Sequence, residues 1–140
     1  MDVSNDRVLL MENKKMTDYN KLTTEQRKMD WATYQEWTKT TAVYPEEKAE
    51  EYLMLGLASE VGELLGKFKK EIRGDGKNMS KAQRWQKYND KIDELGDVCW
   101  YLARLMDHYD LTHQEVLHRN FVKLTDRKAR DKIKGSGDKR

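Results

Sequence analysis

Leu53-Met54-Leu55-Gly56-Leu57-Ala58-Ser59-Glu60-Val61-Gly62-Glu63-Leu64-Leu65-Gly66-Lys67-Phe68-Lys69-Lys70-Glu71-Ile72 is the stretch that decides the fold. Leu53, Leu57, Val61, Leu64, Leu65, Phe68 and Ile72 recur at helical turns and mark out one apolar stripe. Pro45 closes whatever helix precedes it, because proline disfavours a helical residue before it. It also suits the first position of the next helix, and Glu46 and Glu47 complement that helix's positive end. Gly74-Asp75-Gly76 stops the helix. A helix over about residues 46–72 is predicted.

Working outward, Ser80 and Gln83 form a capping box that opens a helix over about 81–109. Its stripe of Ile92, Leu95, Cys99, Leu102, Met106 and Tyr109 alternates steps of three and four, the seam of a helix packed nearly antiparallel in a bundle. Thr112 and Glu115 form a second box, with Leu111 placed to staple onto Val116, and open a helix to about residue 130 on Leu117, Phe121 and Leu124. Upstream, Thr23 and Gln26 form a third box before a helix over about 25–42. No strand-like alternation and no internal repeat appears. The chain is therefore expected to be all-α, a four-to-five-helix bundle. Residues 1–22 are expected to be a loosely ordered lead-in, 23–130 the helical domain and 131–140 a flexible basic tail.

Composition narrows the classes. A chain of 140 residues suits one domain. Charged residues make up 37%, against about 25% in a typical globular domain. The 27 Lys and Arg nearly balance the 25 Asp and Glu, so a net charge of +2 offers no whole-molecule attraction for nucleic acid. The single cysteine, Cys99, excludes an intramolecular disulfide. The patch Val8-Leu9-Leu10-Met11 is too short for a signal-peptide core, and no run approaches the ~18 apolar residues of a membrane span. A soluble, cytoplasmic chain with no membrane partner is expected.

Two acidic motifs carry the chemistry. Glu60 and Glu63 lie three apart on the second helix, Glu94 and Asp97 three apart on the third, and residues at that spacing share a face. Each pair flanks its helix's apolar stripe, at the edge of the seam where two packed helices can bring the pairs together. Gly62 and Gly96 sit inside the motifs, where a glycine costs about 1 kcal/mol against alanine. Close helix approach or room for a ligand would compensate. Converging carboxylates must take up protons or cations, and all-oxygen donors favour a hard ion such as Mg²⁺. The same spacing also serves two solvated acidic faces. Positions 56, 60, 63, 67 and 70 lie on one side, so the acids run into Lys67 and Lys70, with Arg73 beyond. Residues 120–140 add eight Lys/Arg against three Asp, an end that could grip phosphate. Cys99 falls on the apolar stripe and reads as a structural thiol. His108, His113 and His118 recur at steps of five, which is no helical ligand spacing. Glu115 and His118 form Glu-x-x-His, but Glu115 is accounted for by its capping box.

Leu57-Ala58-Ser59-Glu60-Val61-Gly62-Glu63-Leu64 followed by Glu94-Leu95-Gly96-Asp97-Val98-Cys99-Trp100-Tyr101-Leu102 resembles the MazG-like, all-α nucleoside triphosphate pyrophosphohydrolases. Their pattern is Glu-x-x-Glu, a spacer, then Glu-x-x-Asp. Asn120-Phe121-Val122-Lys123-Leu124, the ending Gly135 to Arg140, Tyr34-Gln35 and Thr41-Ala42-Val43-Tyr44-Pro45 are similar to short single-domain members, bacteriophage and cyanophage ones included. The resemblance spans about residues 30–140. Asp93 departs from it, standing where the family often has glutamate.

The resemblance implies Mg²⁺-dependent cleavage, with Mn²⁺ as a possible substitute, of a (d)NTP to the monophosphate and pyrophosphate. It implies Glu60, Glu63, Glu94 and Asp97 as catalytic metal ligands. Lys70, Arg73, Asn120, Lys123 and Arg127 are its phosphate candidates, and Gln35, Tyr44 and Tyr101 its nucleoside candidates, with Trp37 and Trp85 as alternatives for the base. It further implies a homodimer or homotetramer, in the host cytoplasm if the chain is phage-encoded. The competing readings are a sister pyrophosphohydrolase acting on phosphoribosyl-ATP, dUTP/dCTP or a guanosine alarmone, and a non-enzymatic helical module that binds a partner or nucleic acid through its basic end.

Overall fold

The computed structural model describes residues 21–135 and residue 137. Residues 1–20 of the expected lead-in, and residues 136 and 138–140 of the expected tail, lie outside the described residues. The described chain is all-α. Its elements are α1 (Thr24–Arg27), α2 (Trp31–Thr38), α3 (Ala49–Arg73), α4 (Lys81–His108) and α5 (His113–Ala129), with short 3₁₀ turns at Lys39–Thr41 and Glu46–Lys48. No helix among the described residues is long and apolar enough to cross a membrane.

The caps behave as their side chains dictate. Ser80 with Gln83 and Thr112 with Glu115 each form a reciprocal capping box at the starts of α4 and α5. Thr23 and Gln26 do the same, the Thr23 amide donating to Gln26 Oε1 at 2.8 Å. Gly74, at φ 96°, ends α3 in the left-handed conformation that glycine adopts without steric cost.

The helix expected over 25–42 is a correction. It breaks after one turn, because the Asp30 carboxylate accepts a hydrogen bond from the Thr33 amide at 2.8 Å and caps a new helix there. Beyond it, the hydroxyls of Thr38, Thr40 and Thr41 each donate back to a carbonyl three residues earlier, and the chain tightens into 3₁₀. Pro45 stands just before its 3₁₀ turn and not inside it.

The long helices α3 and α4 form the dominant interface, and α2 packs on α4. Cross-helix partners show the pairing to be antiparallel: residue numbers rise along α3 as they fall along α4. The Tyr109 hydroxyl donates to Glu50 at 2.8 Å, the Tyr101 ring covers Gly56, Lys67 bonds Glu94 at 2.9 Å, and Lys91 bonds Glu71 at 2.6 Å. By contrast, α5 touches α4 only sparingly.

The apolar stripes are a second correction. Leu53 is fully buried, but Val61, Leu65, Phe68, Ile72, Ile92 and Leu95 are exposed, Ile72 at 88%. Leu117, Phe121 and Leu124 on α5 are exposed as well. The stripes have helical period but exceed what one chain can cover, since two helices bury only the line where they meet.

Replacing Gly74 with alanine forces a Cβ into a left-handed residue. Gly74→Ala is expected to cost about 1–2 kcal/mol in urea unfolding; an unchanged midpoint would show that the α3 terminus does not depend on it.

Candidate metal centre

Glu60 on α3 faces Glu94 and Asp97 on α4. Each offers a carboxylate oxygen, and the three lie within 4.8 Å of one another. Glu60 and Glu94 are half-buried and Asp97 is exposed, so the trio sits at the mouth of the α3–α4 seam. Burial raises the Glu60 carboxyl above the ordinary range, and the charges of Glu63, Asp97 and Glu94 raise it further. The donor set fits a hard divalent cation: it is all oxygen and rich in charge. An octahedral Mg²⁺ with bonds of about 2.1 Å spans roughly 4.2 Å between opposite ligands, so modest side-chain rotation closes the trio on such an ion.

Glu63 stays outside the trio. It is exposed on α3 one turn from Glu60 and acts on it through charge. The four-carboxylate expectation thus resolves into three that converge and one beside them. Lys67, which could pair within its helix with Glu63, crosses instead to Glu94.

Two tyrosines feel the charge of the trio, Tyr101 and Tyr34, and Tyr52 packs beside Tyr101. Tyr101 on α4 lies against Gly56, where any Cβ would overlap its ring. Burial raises its hydroxyl, helped by a hydrogen bond with Tyr52 on α3 and by the charges of Glu60 and Asp97. Tyr34 on α2 is raised by burial, then by Cys99 and Asp97. Tyr34 and Tyr52 were not among the sequence candidates, because an aromatic carries no spacing signal of its own. Gly56 did leave a signal, as a small residue on the acidic face. Gly62 and Gly96 are a different case: among the described residues a Cβ at either meets nothing within 4 Å. Close approach of another described helix therefore does not explain them.

The other candidates are dispersed. Gln35 donates to the Leu111 carbonyl at 2.9 Å and ties α2 to the α4–α5 corner. Tyr44 stacks on Tyr52 at 5.2 Å, and its hydroxyl accepts from Arg104 Nε at 3.2 Å. Trp37 stacks on Tyr34 at 6.0 Å, whereas Trp85 lies beside Tyr88 near the start of α4. Lys70 is exposed on α3. Arg73 forms a two-pronged pair with Asp75, with bonds of 2.9 and 2.5 Å. Asn120 and Lys123 are exposed on α5. Arg127 is 5% exposed and reaches the Gly137 carbonyl at 3.5 Å, which makes it a packing residue of the chain end. Cys99 is half-buried, and burial pushes its thiol up, as suits a structural cysteine.

Among known proteins, the chain is similar to the Gene 37 protein of Mycobacterium phage L5. The two are 37% identical over 113 residues, covering 76% of this chain and 96% of that one. No family model matches the chain, and no solved structure matches it.

The Glu60 shift sets a pH dependence. Its carboxyl is raised above the ordinary 4.5, so the folded chain holds this proton more tightly than the unfolded one. That contribution is whole below pH 4.5 and is lost as pH rises through the folded value. Without metal, wild-type stability is expected to fall relative to Glu60→Gln across that window, with urea midpoints as the readout. The difference isolates Glu60 from Glu115 and Asp126, whose lowered values act with the opposite sign.

Proposed function

We propose that this chain, which belongs to the family of the Gene 37 protein of Mycobacterium phage L5, is a MazG-like, Mg²⁺-dependent nucleoside triphosphate pyrophosphohydrolase that yields a (d)NMP and pyrophosphate. The observation that carries the reading is the trio of Glu60, Glu94 and Asp97, gathered from two helices in the spacing the acidic motifs prescribe. These three would hold the ion, with Mn²⁺ as the alternative. Bound there, the ion would supply charge neutralisation and polarisation of phosphoryl oxygens.

The chain's own residues supply the rest. Glu63, exposed beside the trio, is free of that cluster and can take a proton from the attacking water at a carboxylate oxygen. Lys70 is exposed on the same face of α3 and can pair with phosphate oxygens. Tyr101, fixed against Gly56 at the edge of the trio, can pack on the nucleoside. Asn120, Lys123 and the two-pronged Arg73 remain phosphate candidates, and Gln35 and Tyr44 nucleoside candidates, in an assembled enzyme.

Assembly belongs to this reading. The exposed Leu65, Phe68 and Ile72 on α3 and Leu117, Phe121 and Leu124 on α5 favour a homodimer or homotetramer. The open space at Gly62 and Gly96 would then serve the ligand or the second chain.

Purified chain with Mg²⁺ is expected to release pyrophosphate from at least one of the eight common NTPs and dNTPs. Glu94→Gln and Asp97→Asn should each lose more than the ~10–100-fold typical of groups outside the first ligand shell, with helix content by circular dichroism retained. Silence across the whole panel would end the enzyme reading, and salt-sensitive binding to DNA or RNA would replace it with the nucleic-acid one. Assembly is read separately. Light scattering should give two or four times the 16.6 kDa chain mass, and Phe68→Asp with Leu65→Asp should shift it to one.

A further inference from the structure

We propose that Lys67 is the resident counter-ion of the acidic trio and that a divalent cation enters by displacing it from Glu94. The inference rests on the metal-centre reading and adds the residue that governs how the ion is taken up.

The geometry is specific. Lys67 Nζ lies 2.9 Å from Glu94 Oε1, with the two side chains 31% and 13% exposed. Glu63 stands one turn earlier on Lys67's own helix, the ordinary partner for a helical lysine. Lys67 crosses to α4 nonetheless, because Glu94 belongs to three carboxylates held within 4.8 Å of one another. Such a group leaves a formal charge of −3 that one cation partly offsets.

The same facts make the pair exchangeable. A divalent cation on Glu60, Glu94 and Asp97 would carry twice the lysine's charge into the same field and would repel the ammonium. A lysine is a point charge on a flexible stem and makes one bond here, so it can leave without breaking a rigid fork. Lys91 and Glu71, one turn farther along the seam at 2.6 Å, would keep the helices paired. The freed Lys67 lies on the same side of α3 as Lys70, where an anion that arrives with the metal can meet it. Cation uptake would thus prepare a site for phosphate oxygens that the metal-free chain holds closed.

The test is Mn²⁺ binding to the full chain, followed by electron paramagnetic resonance, for the wild type, Lys67→Met and Glu94→Gln. Lys67→Met is expected to tighten binding by about 10-fold or more, within the range by which groups around a metal site tune affinity. Glu94→Gln is expected to weaken it strongly. A dissociation constant for Lys67→Met equal to or weaker than the wild-type value overturns the counter-ion role. If the wild type takes up no Mn²⁺, the metal-centre reading fails first and this inference falls with it. If the wild type binds, Glu94→Gln does not and Lys67→Met matches the wild type, the counter-ion role fails alone. Should Lys67→Met not fold, the Lys67 ammonium resonance in the wild type decides. It is expected to be protected without metal and lost at saturating Mg²⁺, and its persistence overturns the inference.

Discussion

The antiparallel register of α3 on α4 is the constraint on which the site depends. It sets Gly56 under Tyr101, Glu60 against Glu94 and Asp97, and Lys67 within reach of Glu94. A shift of one helical turn along the seam would put Glu60 opposite different residues and leave Lys67 without its partner. The register is held by contacts at the helix ends and by one steric fit between them. The end contacts, a hydrogen bond from Tyr109 to Glu50 and an ion pair of Lys91 with Glu71, are partly exposed, and polar contacts of that kind contribute little each. A Cβ at Gly56 would overlap the Tyr101 ring as it stands, so the ring keeps this place only over glycine, and the fit favours the register together with the charges.

A lone chain is poorly served by this arrangement. Among the described residues the fully buried apolar ones are few, Leu53 and Ala103 among them, while long apolar side chains on α3, α4 and α5 face outward. At the same time three carboxylates are gathered where burial already disfavours the charged form of Glu60. Both features cost stability in isolation, and the proposed function would relieve both: a cation for the carboxylates, a second apolar surface for the outward faces. Sites that carry such local cost are where function is concentrated. Tyr34 and Tyr101 lie close enough to feel the charge of the trio.

Local features were readable from the chain alone. The capping boxes at Thr23, Ser80 and Thr112 and the glycine stop at Gly74 appear where the sequence places them. Each depends on residues within four positions, so the side chains present are enough. The all-α class followed from these signals and from the apolar period. The break at Asp30 is equally local, although the capping box at Thr23 and the stop at Pro45 suggest one uninterrupted helix between them: an aspartate three residues before Thr33 is an N-cap signal in its own right.

What the sequence determined, then, was the all-α class, the three long helices and the pairing of acids by face. Spacing of three on a helix fixes which carboxylates point the same way. It does not fix the rotation of one helix about its axis or its slide along another, and those two quantities decide contact. Only the tertiary structure could select Glu60, Glu94 and Asp97 over Glu63, send Lys67 across to Glu94, bury Arg127 at the chain end and leave Phe68 and Ile72 outside. The reason is that contacts between helices depend on packing summed along the whole seam, whereas caps and faces depend on a few neighbouring residues.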